Sequence, residues 1–191
     1  MSTSELSIGF DAKRYFHNTT GLGNYARWLI DGLSIEDDLN LVLFNPSNQT
    51  HTHPVYSAPL KKLQPFWRSI GIKKQIAASK IQVYHGLSNE LPFGIHKTGV
   101  KSVVTIHDLI NLKFPKNYPF TDRLIYAKKL SYAVKYADCI VVPSESTKED
   151  LLHFFNADES KINVIGLSVK TVENPNISKP GKHLLCVSSF T

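Results

Sequence analysis

The sequence predicts an α/β fold: a Rossmann-like, doubly wound parallel sheet with helices on both faces. Three observations predict it. Strand-like runs alternate with helix-like runs from Leu6 to Leu167. Several strand runs, LNLVLF at 39–44 and CIVV at 139–142 among them, are apolar at almost every position, the pattern of strands covered on both faces. Turn signals such as Asn45-Pro46-Ser47-Asn48 separate the runs.

Each element follows from its own residues. LSIGFDA at 6–12 reads as a first strand running into a polar loop, 13–22, that ends in Thr20-Gly21-Leu22-Gly23. Residues 24–33 place Tyr25, Trp28, Leu29 and Leu33 at helical spacing, so a helix is expected there. A second strand over 39–44 precedes irregular loop at 46–60. Residues 65–80 suit a helix that Gly71 interrupts. IQVYH at 81–85 and KSVVTIH at 101–107 are strands, the latter rich in β-branched residues. Residues 119–137 predict a long helix with an apolar stripe of Leu124, Ala127, Leu130, Ala133, Val134 and Ala137. DCIVVP at 138–143 is the next strand. Ser144 or Ser146 then caps a helix reaching about Phe155, and Ser146 with Glu149 fits a capping box. KINVIGL at 161–167 closes the alternation.

The expected domain organisation is a Rossmann-like unit over 1–168, a Pro-containing linker over 169–182, and at 183–191 the first strand of a second domain. No apolar run approaches the roughly 20 residues of a membrane span. The start carries no signal-peptide pattern, so a cytoplasmic location is expected. Cys139 and Cys186 sit in apolar runs without CxxC spacing, so they are expected to be buried packing residues rather than a disulfide or metal pair. No residue cluster asks for a metal. The net charge of +6 and pI of about 9.2 favour an anionic partner. The stretch 61–80 holds Lys61, Lys62, Arg68, Lys73, Lys74 and Lys80 with no acid, interleaved with Phe66, Trp67, Ile70 and Ile76. That pattern suits peripheral contact with an anionic membrane face, or a solvated helix with its aromatics in the core.

Ligands of open parallel sheets bind at the carboxyl ends of the strands. That rule selects Asp11, Gly21 and Gly23, His85, His107 with Asp108, and Ser144. Glycines before a helix let the backbone approach a ligand, and the helix N-terminus offers N–H groups to a phosphate. Arg27 and Trp28 follow where a dinucleotide fingerprint needs small residues, so NAD is not expected. A strand-end histidine can donate to a sugar hydroxyl or carry a proton near neutral pH. Asp11 can hold a substrate hydroxyl or pair with Lys13 or Arg14.

FDA (10–12), TGLGNYARWL (20–29), VVTIHDLINLKFP (103–115), AVKYADCIVVPSESTKEDLL (133–152) and KINVI (161–165) together resemble the N-terminal domain of retaining family 4 glycosyltransferases. These are GT-B enzymes of the glycogen-synthase and mannosyltransferase type. The resemblance implies two Rossmann-like domains across a cleft, the first mainly holding the acceptor and the second the nucleotide sugar. The implied activity is transfer of a hexosyl unit from a GDP- or UDP-linked donor to a hydroxyl of a saccharide or lipid-linked acceptor, with retention. No cofactor and no nucleic acid are implied. Gly21, Gly23 and Ser144 then fall on the donor side, Asp11 and His85 on the acceptor side, and His107 and Asp108 at the reaction centre. Thr147 lies in the same matched motif as Ser144 and suits helix capping as well as ligand contact. The family's phosphate-gripping basic pair follows a strand that corresponds here to HLLCVSSFT, so this chain alone is expected to be inactive. Two other readings share the pattern: a noncatalytic acceptor-binding half of a split enzyme, and a GT-B-fold nucleotide-sugar epimerase.

Overall fold

The computed structural model describes residues 5–59 and 67–167. The first part runs β1 (Leu6–Asp11), α1 (Lys13–His17), α2 (Gly21–Leu33), β2 (Leu39–Asn45) and β3 (Val55–Ser57). A π-helical turn (Trp67–Gly71), α3 (Lys73–Ala78), β4 (Val83–Gly86), β5 (Lys101–Thr105) and α4 (Ile110–Lys113) follow. The last elements are α5 (Phe120–Tyr136), β6 (Cys139–Val142), α6 (Glu145–Phe155) and β7 (Ile162–Val164). Short 3-10 turns occupy Ile95–Lys97, Pro115–Asn117 and Glu159–Lys161. The described strands form one sheet in the order β3-β2-β1-β4-β5-β6-β7, and every neighbouring pair is parallel. The expected α/β, doubly wound Rossmann-like architecture is what the chain adopts.

Strand β2 shows why both faces are covered. Its side chains alternate, so Leu41 and Leu43 pack with Phe10, Ala26 and Ile30 beneath α2. Val42 and Phe44 point the other way, into the cluster of Ile76, Tyr84, Val104 and Leu130. Residues 41–45 are all buried. Among the described residues no helix is long and apolar enough to cross a membrane.

Several local expectations are corrected. Residues 13–17 are helical rather than loop, too short for periodicity to reveal, with Phe16 packed against the α2 cluster. Helix α2 begins at Gly21, so the glycines lie in its first turn. Its buried face is Gly23, Ala26 and Ile30, small residues that bring the helix close to the sheet, and Trp28 is turned out at 42% exposure. The loop after β2 contains the edge strand β3, where Tyr56 stacks on Phe44. The stripe on α5 holds at Leu130, Ala133, Val134 and Ala137 but fails at Leu124, which is 45% exposed. The first half of α5 walls a cleft instead, through Asp122, Ile125, Tyr126 and Lys129. Ser144 is the N-cap of α6, accepting from the Thr147 amide at 3.2 Å, and Ser146 is exposed inside the helix. Cys139 is half-buried rather than a core residue and accepts a hydrogen bond from Asn163. The linker at 169–182, the strand at 183–191 and Cys186 lie outside the described residues.

Candidate functional site

Because the strands are parallel, their carboxyl ends share one edge of the sheet. The strand order reverses at β1: the chain runs outward to β2 and β3, then returns to β4 on the other flank of β1. Connections leaving β1 and β4 therefore diverge, and the crevice between them is where such sheets take ligands. A cleft of about 340 Å³ opens there. Arg14 and Leu22 come to it from the β1 side, Ser88, Asn89 and Glu90 from the segment after β4, and Asn111, Asp122, Ile125, Tyr126 and Lys129 from α4 and α5.

The segment after β4 is shaped by its own residues. It folds back so tightly that a Cβ on Gly86 would lie 2.3 Å from the Glu90 carbonyl oxygen. Asn89 sits in the left-handed region (φ 58°), which asparagine tolerates better than most residues. Its amide donates to the Thr105 carbonyl, its Oδ1 accepts from the His107 amide at 2.8 Å, and its Nδ2 donates to the Tyr126 hydroxyl at 3.3 Å. Asn89 thus ties the ends of β4 and β5 to α5.

His107 stands beside this tie. Its Nε2 lies 2.9 Å from the Leu87 carbonyl, which can only accept, so Nε2 carries the proton. Nδ1 has no protein partner among the described residues. The Tyr25 ring meets the imidazole edge-on, with centroids 4.8 Å apart. Burial lowers the His107 pKa and the charge of Arg14 lowers it further, against the opposing pull of the Leu87 bond and Asp108. The imidazole is therefore neutral at pH 7. His85 keeps some surface in contact with solvent. It is nevertheless packed closely enough that desolvation, with His107 nearby, pushes it down to about 4. Its Nε2 lies 2.9 Å from the Thr105 hydroxyl, which lies 2.9 Å from the Tyr25 hydroxyl. The two histidines thus face one region, joined through Tyr25 and Thr105, and both are uncharged.

The remaining expected site residues have structural partners. Asp11 is buried and pairs with Arg68, not with Lys13 or Arg14; the Arg68 Nε is 3.2 Å from each carboxylate oxygen. Arg68 also reaches Glu90 at 3.6 Å, and Lys129 reaches Glu90 at 2.9 Å. Burial works against the Arg68 charge, but Asp11 and Glu90 outweigh it and raise its pKa. Asp11 is thus the inner end of an ionic network behind the cleft. Asp108 is exposed and accepts from the Ile110 amide at 3.1 Å, shaping the turn into α4. The Ser144 hydroxyl is spent on capping, and Thr147 ties α6 to the His107 carbonyl at 3.3 Å.

The two glycines separate. A Cβ on Gly23 would lie 1.8 Å from the Asn18 backbone oxygen, so this position is glycine because the chain itself passes there. Gly21 has nothing within 4 Å and is exposed, so it stays available to a ligand. The basic stretch also divides: Trp67 and Ile76 are buried and Arg68 is engaged, while Ile70, Lys74 and Lys80 are exposed. Lys61, Lys62 and Phe66 lie outside the described residues.

Sequence reasoning missed Arg14, Arg68, Asn89, Glu90, Tyr126 and Lys129. Position offered a signal for one group, since Ser88-Asn89-Glu90 directly follows the His85-Gly86 strand end. Nothing local marks Tyr126 or Lys129, which line the cleft from α5.

Residues 23–172 match the sequence model of Glycosyltransferase Family 4. No curated protein matches the chain. A solved structure, that of a variant of the Wall Teichoic Acid Polymerase TagF, aligns with a TM-score of 0.49 at 10% identity. That alignment covers 87% of this chain and 39% of the other, so this chain spans well under half the length of that structure.

Proposed function

The chain belongs to glycosyltransferase family 4, and we propose that it supplies the acceptor side of a retaining hexosyl transfer from a GDP- or UDP-linked sugar to a hydroxyl group. The observation that carries this reading is the switch-point cleft with a neutral histidine beside it, its tautomer fixed by Leu87. A neutral imidazole with an unpartnered Nδ1 accepts a hydrogen bond from a sugar hydroxyl without requiring a charge to be buried. His107 then positions and polarises substrate. The acceptor proton leaves with the departing diphosphate, so no strong protein base is needed. Gly21, open to solvent in the first turn of α2, lets the donor diphosphate approach backbone N–H groups at a helix N-terminus. The nucleotide is held by a second domain facing the cleft, so residues 1–191 alone turn over no donor.

The test is a panel of GDP- and UDP-hexoses offered to the whole protein with sugar acceptors. Acceptor-dependent release of nucleoside diphosphate, with the donor's anomeric configuration kept in the product by NMR, is the expected result. An inverted product contradicts retention. Absence of transfer from every donor contradicts the transferase reading.

A further inference from the structure

Arg14 differs from the other cations of the cleft. Arg68 is occupied by Asp11 and Glu90, and Lys129 by Glu90. Among the described residues the Arg14 guanidinium makes no hydrogen bond and no ion pair, and its Nε is buried without a partner. Buried donors without a partner are uncommon in folded proteins, and this is the one on a residue that lines the cleft. The charged residues lining the cleft balance, Arg14 and Lys129 against Glu90 and Asp122, with the Asp11–Arg68 pair behind them. Burial lowers the Lys13 pKa, and the nearby Arg68 and Arg14 charges lower it further against the pull of Asp11 and Glu90. With Lys129 paired to Glu90, Arg14 is the lining cation that has no carboxylate partner among the described residues.

The rest of the wall suits hydroxyl groups. Asn111 makes no side-chain hydrogen bond among the described residues, and the carboxylate of Asp122 and hydroxyl of Ser88 line the same space. At about 340 Å³ the cleft is at the small end of ligand sites, with room for a sugar unit and a charged substituent. We propose that Arg14 is the phosphate anchor of this cleft and that the acceptor is a sugar bearing a phosphoryl group. A guanidinium recognises phosphate through paired N–H donors in a planar fork. The inference rests on the transferase reading for the word acceptor, and on the cleft alone for the phosphate.

The phosphoryl group has two sources, a soluble sugar phosphate or a sugar carried on a lipid diphosphate. Beside the wall residue Ile125, which is 56% exposed, Leu124 and Phe120 are 45% and 71% exposed. These apolar side chains give a lipid chain a place to lie and distinguish the two sources.

The experiment is NMR titration of the chain with glucose, glucose 1-phosphate and a geranyl-diphosphate-linked N-acetylglucosamine, following the amides of Asn89 and Asn111. Glucose 1-phosphate should bind more tightly than glucose. Arg14→Gln should weaken it by about tenfold or more while glucose binding is unchanged, and Lys74→Gln, an exposed control, should change neither. Arg14→Lys, which keeps charge but loses the fork, should fall between and guards against misfolding of the glutamine variant. Equal affinity for glucose 1-phosphate in wild type and both Arg14 variants overturns the proposal, as does absence of saturable binding by both phosphorylated probes. Tighter binding of the lipid-linked sugar, lost in Phe120→Ser, identifies the lipid source; equal binding of both identifies the soluble one. Phosphate bound through Arg14 without sugar transfer contradicts the transferase reading but not this one. Transfer unaffected by Arg14→Gln contradicts this one alone.

Discussion

At the scale of single residues, the two His107 nitrogens differ: Nε2 is tethered to Leu87 and Nδ1 has no partner among the described residues, which under the proposed reading leaves it for substrate. Glutamine at this position can keep a donor near Nε2 and loses the acceptor near Nδ1. Asparagine does the reverse. The account predicts that His107→Gln retains melting temperature and loses kcat by roughly 10²-fold, and that His107→Asn recovers part of the rate. A merely structural histidine would reverse that order, with glutamine active and asparagine destabilised. His85 makes a separate prediction about stability and pH. Its pKa of about 4 in the folded chain lies below the ordinary value of about 6.5, so the unfolded chain binds more protons between those limits. Stability from this group is complete above about pH 6.5 and is lost as pH falls toward 4, by about 3 kcal/mol in all. Urea unfolding of wild type and His85→Gln across this range should show the slope flattened in the variant; an unchanged slope would remove His85 as its source. The candidates His107 and His85 were readable in the sequence because each ends an apolar strand. Their tautomers, their link through Thr105 and the pairing of Asp11 with Arg68 were not readable. Those contacts join residues 20 to 57 positions apart, and no local pattern encodes them.

At the scale of elements, the first turn of α2 divides one motif into two functions. Gly23→Ala would drive a Cβ into the Asn18 backbone, where no flexible side chain can yield, and should cost at least about 2 kcal/mol. Gly21→Ala meets nothing within 4 Å and should leave stability unchanged or raise it by about 0.5–1 kcal/mol, since alanine favours helix over glycine. Thermal melting checks both. If Gly21→Ala then raises the donor KM in a folded enzyme, the donor comes close to this turn; an unchanged KM would leave Gly21 an ordinary helix start. The long strands and α5 were legible because period-2 and period-3.6 patterns need several turns or residues to repeat. Helices α1 and α4, strand β3 and the π-helical turn at Trp67–Gly71 are five residues or fewer, below the length at which a period exists. The stripe on α5 was half right for a physical reason. Its C-terminal half supplies core residues, and its N-terminal half lines the cleft with Asp122, Ile125, Tyr126 and Lys129, of which Tyr126 also packs against the core.

At the scale of the whole molecule, parallel strands in the order β3-β2-β1-β4-β5-β6-β7 place one reversal in the sheet, and the cleft opens at that reversal. The fold class was legible because alternation and two-sided apolar strands admit few other architectures. The cleft wall was not, since it is assembled from segments around residues 14, 89 and 126 that meet only through topology. If sugar transfer takes place at this cleft, filling the cleft must abolish it. Asn111 offers the most direct test, because it lines the cleft and its side chain supports no hydrogen bond among the described residues. Asn111→Trp should fill the space without disturbing the Asp11–Arg68–Glu90 network behind it. The measurement is sugar transfer by the whole protein, wild type against Asn111→Trp, with melting temperature recorded for each. The account predicts a loss in kcat/KM of roughly 10²-fold or more at unchanged melting temperature. Wild-type transfer by a folded Asn111→Trp protein would contradict it.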